Sequence, residues 1–188
     1  MSEVMLKSGD IILTRGDKLL SRMIRFFEKD KSEDISKVNH TGVNEKDCLL
    51  KDANVIEALT TVKCHNLVEQ YAGKKDKVAI FRKKNLRDDE RIEVAKKAKE
   101  YVGKKYGFIK IVGHALDWCI GGKYVFRRMF RMDDYPICSW VVGYAYAAVG
   151  VKFKGVEPWA CQPDDIWDEC FNSDKYDMIY PLSRLSDA

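Results

Sequence analysis

The sequence predicts an α+β fold, a small antiparallel sheet packed against helices, and three observations carry that expectation. Short apolar runs bounded by turn residues crowd the first 82 residues. Longer stretches with helical spacing occupy residues 88–150. The two kinds of segment do not alternate, and segregated strands and helices belong to α+β domains rather than to βαβ repeats. With 188 residues, 46% of them hydrophobic, the chain is expected to form a single domain over residues 1–188 around one substantial core.

Each element has its own signal. Gly9 to Gly16 reads as a short buried strand between turn residues. Leu19, Leu20, Met23, Ile24 and Phe27 recur at helical spacing, and a polar loop follows from Glu28 to Lys37. Val38 to Asn44, Val55 to Leu59 and Val78 to Arg82 read as the next three strands. Asp88, Asp89 and Glu90 put carboxylates in the first turn of a helix reaching Val102, where they suit the helix dipole. Its expected apolar stripe is Ile92, Ala95, Ala98 and Val102, and Gly103 is its expected stop. Tyr106 to Ile120 is a second helical candidate, broken by Gly121-Gly122. A further helix starts at Cys138 and runs through small and apolar residues to about Gly150. Pro163 opens a short helix, and Met178 to Leu182 reads as a closing strand.

Composition excludes several classes. Lys and Arg number 33 against 29 Asp and Glu, a net charge of +4 that falls short of a nucleic-acid-binding stripe. No stretch approaches the roughly 20 apolar residues of a membrane helix. The N-terminus lacks the basic and apolar regions of a signal peptide, so a cytoplasmic location is expected. The six cysteines (48, 64, 119, 138, 161, 170) contain no CxxC pair, and the three histidines (40, 65, 114) are dispersed. Reduced thiols, no metal and no cofactor are the expectation.

Cys138 carries the chemistry. It follows Pro136-Ile137 at the head of an apolar helix, and a helix N-terminus favours thiolate, the form that attacks carbonyls. His40, in Asn39-His40-Thr41-Gly42-Val43, is the candidate base. Gly42 leaves its strand face open to a close approach. If the strands at 38–44 and 54–59 pair, Glu57 lies beside His40; a carboxylate inside Val55-Ile56-Glu57-Ala58-Leu59 needs such a partner, because burying an unpaired charge is costly. Cys64-His65 points to opposite strand faces with no acidic neighbour and reads as structural or exposed. His114 is expected in packing or at a pocket rim. Cys48, Cys119, Cys161 and Cys170 read as inert.

Several ordered pieces then resemble one family, the permuted NlpC-type papain-like cysteine hydrolases, in particular the YiiX-like group. They are Ser8-Gly9-Asp10-Ile11-Ile12, Asn39-His40-Thr41-Gly42-Val43, Val55-Ile56-Glu57-Ala58, Val102-Gly103-Lys104-Lys105-Tyr106, Ile137-Cys138-Ser139 and Gln162-Pro163-Asp164-Asp165-Ile166. The resemblance implies a circularly permuted papain-like fold and a Cys138–His40–Glu57 site. It implies that Tyr106 and Ser139 serve the oxyanion or the substrate. It implies a thiol hydrolase or acyltransferase working through a thioester on an amide or ester bond of a peptide, cell-wall peptide or acyl lipid. Tyr106 precedes Gly107, and Ser139 precedes Trp140-Val141, where an acidic residue is common in the family; both departures bear on the substrate.

Two other classes stand beside the enzyme: a non-catalytic peptide- or lipid-binding module on the same fold, and a basic membrane or nucleic-acid adaptor. Within 108–132, Lys123, Arg127, Arg128 and Arg131 mix with Trp118, Phe126 and Phe130. Residues 123–131 suit peripheral contact with an anionic membrane, or a helix pair with a solvated basic rim. Lys96, Lys97 and Lys99 read as a solvent face.

Overall fold

A computed structural model describes residues 4–16, 36–105 and 136–185. The strands are β1 (Met5–Leu6), β2 (Ile11–Arg15), β3 (His40–Asn44), β4 (Cys48–Leu49), β5 (Asn54–Ala58), β6 (Val62–Asn66), β7 (Lys77–Lys83) and β8 (Tyr176–Ser183). The α-helices are α1 (Leu67–Tyr71), α2 (Asp88–Lys99), α3 (Cys138–Ala147) and α4 (Pro163–Asn172). Among the described residues a six-stranded sheet runs β6-β5-β3-β2-β7-β8, every neighbouring pair antiparallel. The expected helices at 19–27 and 106–120, the segment 108–132 and the residues Tyr106, His114 and Cys119 lie outside the described residues.

Alternation along the strands divides the core into two clusters. Ile11, Leu13, Val43, Ile56 and Phe81 face α2, α3 and α4. Ile12, Val55, Val78 and Ile80 face the opposite way, with Leu50, Leu67 and Tyr71. β3 begins only at His40, so Val38, expected on the His40 face, instead packs in the helix-side cluster. α3 is buried nearly all round, as a helix without a polar face must be.

The α2 stripe differs from expectation. Arg91, Val94, Ala95 and Ala98 are the buried positions, while Ile92 and Val102 are 61% and 43% exposed. The charge of Arg91 hides its place in the pattern. Its whole side chain is buried: Nη2 donates to Lys83 O at 2.6 Å, and Nη1 stands 3.8 Å from Asp10 Oδ1. The helix ends at Lys99, and Gly103, at φ +90°, closes the turn beyond it.

A buried polar knot fastens these layers at the turn before β2. Asp10 is fully buried and takes a forked bond from Arg82, Nε to Oδ1 at 2.9 Å and Nη2 to Oδ2 at 2.7 Å. Beside it Gly9 adopts φ +78°, and a Cβ there would stand 3.1 Å from Arg91 O. The Tyr146 hydroxyl donates to Gly9 O at 2.6 Å, tying α3 to this turn. Removing one partner of a buried pair strands the other's charge. Arg82→Met is therefore expected to destabilise the fold by about 3 kcal/mol, read as a lower urea midpoint at unchanged slope.

Candidate active site

His40 is the first residue of β3, and Glu57 is the fourth of β5. The register pairs Gly42 with Glu57, so His40 lies diagonally from Glu57 on the same face. Gly42 permits this closeness: a Cβ there would meet Val55 Cγ2 at 2.6 Å, Ile56 O at 2.9 Å and Glu57 Cβ at 3.0 Å. The close approach expected at Gly42 is made by the neighbouring strand β5.

Glu57 is fully buried and accepts three hydrogen bonds. His40 Nε2–H donates to Oε2 at 2.8 Å, the Tyr71 hydroxyl donates to the same oxygen at 2.8 Å, and His65 Nε2–H donates to Oε1 at 2.6 Å. Burial alone would push the Glu57 carboxyl up, yet the charge and bond of His40, with the bonds from His65 and Tyr71, hold it at about 2.

Cys138 is the first residue of α3, buried beside His40. It belongs to the helix-side cluster, whereas His40 and Glu57 sit on the other face; thiol and imidazole meet at the end of β3, outside its pairing with β5. Burial would raise the thiol, but the charge and hydrogen bond of His40, then the backbone N–H groups of Thr41 and Ser139, bring it below the ordinary cysteine range. Burial likewise would lower His40, but Cys138 and Glu57 raise it well above the usual histidine value. Nε2 of His40 is spent on Glu57, which leaves Nδ1 for the thiol. Both shifts favour the charged forms of thiol and imidazole, with the Glu57 carboxylate behind His40.

Cys48 and Cys170 are pushed up by burial, and Cys64 is pushed up to about 11 by burial and Glu45. Ser139 is buried with its hydroxyl donating to Cys161 O at 2.6 Å, so the group it turns to the sulfur is its backbone N–H. Tyr106 lies outside the described residues. The reading of His65 as a residue without an acidic neighbour is corrected by its bond to Glu57. The missing signal was the β5–β6 hairpin, whose register pairs Val55 with His65 and so puts His65 on the Glu57 face. Tyr71 also escaped the sequence reading, because residues 66–76 suggested no element.

The strand-borne histidine precedes the helix-borne cysteine in the chain, and the sheet between them is antiparallel. That is the layout of a papain-like cysteine hydrolase with its two halves exchanged in order. A family model described as permuted papain-like amidase enzyme, YaeF/YiiX, C92 family, matches residues 5–158, and the chain belongs to that family. A solved structure, metalloprotein YiiX from Escherichia coli O157:H7, superposes with a TM-score of 0.61 at 21% sequence identity, covering 96% of this chain and 98% of that one. No curated protein sequence matches the chain.

Two expectations follow. Gly42→Ala should lower stability by about 2 kcal/mol and slow alkylation of Cys138, because β5 must move away from His40; an unchanged urea midpoint would mean that β5 has room. Glu57 stands at about 2 in the fold against an ordinary 4.5, so its contribution is complete above pH 4.5 and is lost as pH falls towards 2. That contribution is about 3 kcal/mol. Glu57→Gln should flatten this part of the descent, measured as the difference between wild-type and variant urea midpoints at pH 5 and pH 2.5.

Proposed function

We propose that the chain is a cysteine amidase, acting as one domain, in which Cys138 is the nucleophile, His40 the base and acid, and Glu57 the group that orients and stabilises the imidazolium. The observation that carries the reading is the lowered thiol of Cys138 at a helix start, next to a His40 whose second nitrogen is bonded to a buried carboxylate. A simple binding cleft has no use for an ionised thiol, and ionising one in a buried site needs these partners.

The Cys138 thiolate attacks the amide carbonyl carbon, and the carbonyl oxygen takes the negative charge. The N–H of Cys138, in the first helical turn where donors have no intrahelical acceptor, is the proposed oxyanion donor. One such donor is typically worth about 100–1,000-fold in rate. Tyr106, by resemblance alone, is the second. The His40 imidazolium gives its proton to the departing amine as the C–N bond breaks, leaving a thioester on Cys138. His40 then takes a proton from water, the hydroxide adds to the thioester, and the carboxylic acid leaves as the thiolate re-forms. An amine or alcohol in place of that water would make the same site an acyltransferase.

The family description favours an amide, hence a peptide or cell-wall peptide, over an acyl lipid. Among the described residues no helix is long and apolar enough to cross a membrane, and the five described cysteines are free thiols. A reducing compartment such as the cytoplasm suits that nucleophile. Contact of residues 123–131 with an anionic membrane remains part of the proposal on sequence grounds. The YiiX structure is titled a metalloprotein, but here His40 and His65 both spend Nε2 on Glu57. No group of three His, Cys, Asp or Glu among the described residues is arranged to hold an ion. This donor set does not fit a metal.

Incubation with a panel of peptide amides and acyl-lipid esters, quenched in acid, should reveal a mass increase on Cys138 equal to the acyl group. Cys138→Ala and His40→Ala should each reduce turnover at least 1,000-fold, in line with losses on removing members of such triads. Full turnover by Cys138→Ala would end the proposal.

A further inference from the structure

The mechanism above uses one of the three donors on Glu57 and leaves two unexplained. Both belong to elements other than the two strands that carry His40 and Glu57. His65 lies on β6 and Tyr71 in the last turn of α1. Tyr71 is buried, and its phenol is pushed well above its ordinary range by burial and by Glu57, so it stays a donor. His65 keeps 24% of its side chain in solvent, so its loss removes little packing.

A glutamate held by one donor is free to turn about its last torsion, which is broad and only roughly two-fold. The Glu57 carboxylate is held at both oxygens. Oε1 is pinned by His65 at 2.6 Å, and Oε2 is shared by Tyr71 and His40 at 2.8 Å each. The hydrogen bond on Oε1 therefore fixes the plane in which Oε2 meets the His40 ring.

We infer that His65 is a positioning residue of the thiol site: through Oε1 of Glu57 it fixes the carboxylate that holds the His40 imidazolium, and so sets how much of Cys138 is thiolate at neutral pH. The inference rests on the reading of Cys138, His40 and Glu57 as the reacting groups. The charged or titratable groups facing this carboxylate are His40 from β3, His65 from β6 and Tyr71 from α1, with Cys138 of α3 beyond His40. Lys63, the register partner of Glu57 on β6, is exposed.

The test needs no substrate. Iodoacetamide alkylation of Cys138, followed by peptide mass spectrometry, is compared at about pH 6 and about pH 10 for the full chain, His65→Ala, His65→Gln and Tyr71→Phe. Glutamine keeps an N–H donor of similar reach. In the wild type, Cys138 should react at pH 6 well ahead of the same thiol in urea-unfolded chain. His65→Ala should slow it about tenfold at pH 6, while the two converge at pH 10, where the thiol is ionised without help. His65→Gln should recover most of the lost rate, and Tyr71→Phe should show a pH-confined loss of the same kind.

Equal rates for His65→Ala and wild type at pH 6 would overturn the inference. So would a loss of the same factor at both pH values, which marks altered access, or a His65→Gln variant no better than alanine. If wild-type Cys138 itself reacts no faster at pH 6 than the unfolded thiol, the thiol-site reading falls and the inference falls with it.

Discussion

A carboxylate without solvent is the constraint around which this protein is arranged. Glu57 is fully buried, and an unpaired charge there would be prohibitive. Three donors from three elements answer it, and each donor then has a fixed place: a histidine at the start of β3, a histidine near the end of β6, a tyrosine closing α1. The local architecture of the sheet follows. β5 must lie between β3 and β6, and β3 must carry a glycine opposite the glutamate so that the strands come close enough. A glutamine in that place would offer one acceptor oxygen where the carboxylate offers two, so it could not serve the donors at both ends and would not favour a cationic His40.

The thiol reaches this network from another layer. α3 is a helix buried nearly all round on the opposite face of the sheet, and only its first residue needs to reach the His40 end of β3. The geometry is therefore sensitive to how α3 is seated along its axis. Its seat is set at both ends, by the Tyr146 bond to Gly9 O near its C-terminus and by the Ser139 bond to Cys161 O beside the thiol. The Ser8-Gly9-Asp10 turn thus bears on the nucleophile although it lies at the other end of the helix.

The legible parts of the sequence were those in which one periodicity dominates. β2, β3, β5, β7 and the helices at 88 and 138 came through because apolar runs and turn residues bracket them. Cys138, His40 and Glu57 were legible as well, because a charge in an apolar strand and a thiol at a helix start each demand a partner. The α2 stripe was misjudged because Arg91 is buried with its guanidinium between Asp10 and Lys83 O, and charge alone hides that. β6, α1 and with them His65 and Tyr71 were not legible, since Val62–Asn66 mixes lysine, cysteine, histidine and asparagine. Their burial comes from tertiary pairing, which local composition does not report. Tyr106 and the basic segment 123–131 rest on sequence alone.

The order of these elements along the chain has a consequence for biosynthesis. Every donor to Glu57 lies between His40 and Tyr71, so the carboxylate and its partners can assemble from a short, contiguous stretch of nascent chain. The cysteine emerges from the ribosome long after that stretch. Synthesis proceeds from the N-terminus, and early segments can fold while later ones are still being made. The imidazole can thus meet its carboxylate before Cys138 is made, and the thiol gains His40 as a neighbour only when α3 docks. Permutation thus separates the two halves of the site in time, the carboxylate–imidazole half first and the thiol half after it, with α4 and β8 still to follow.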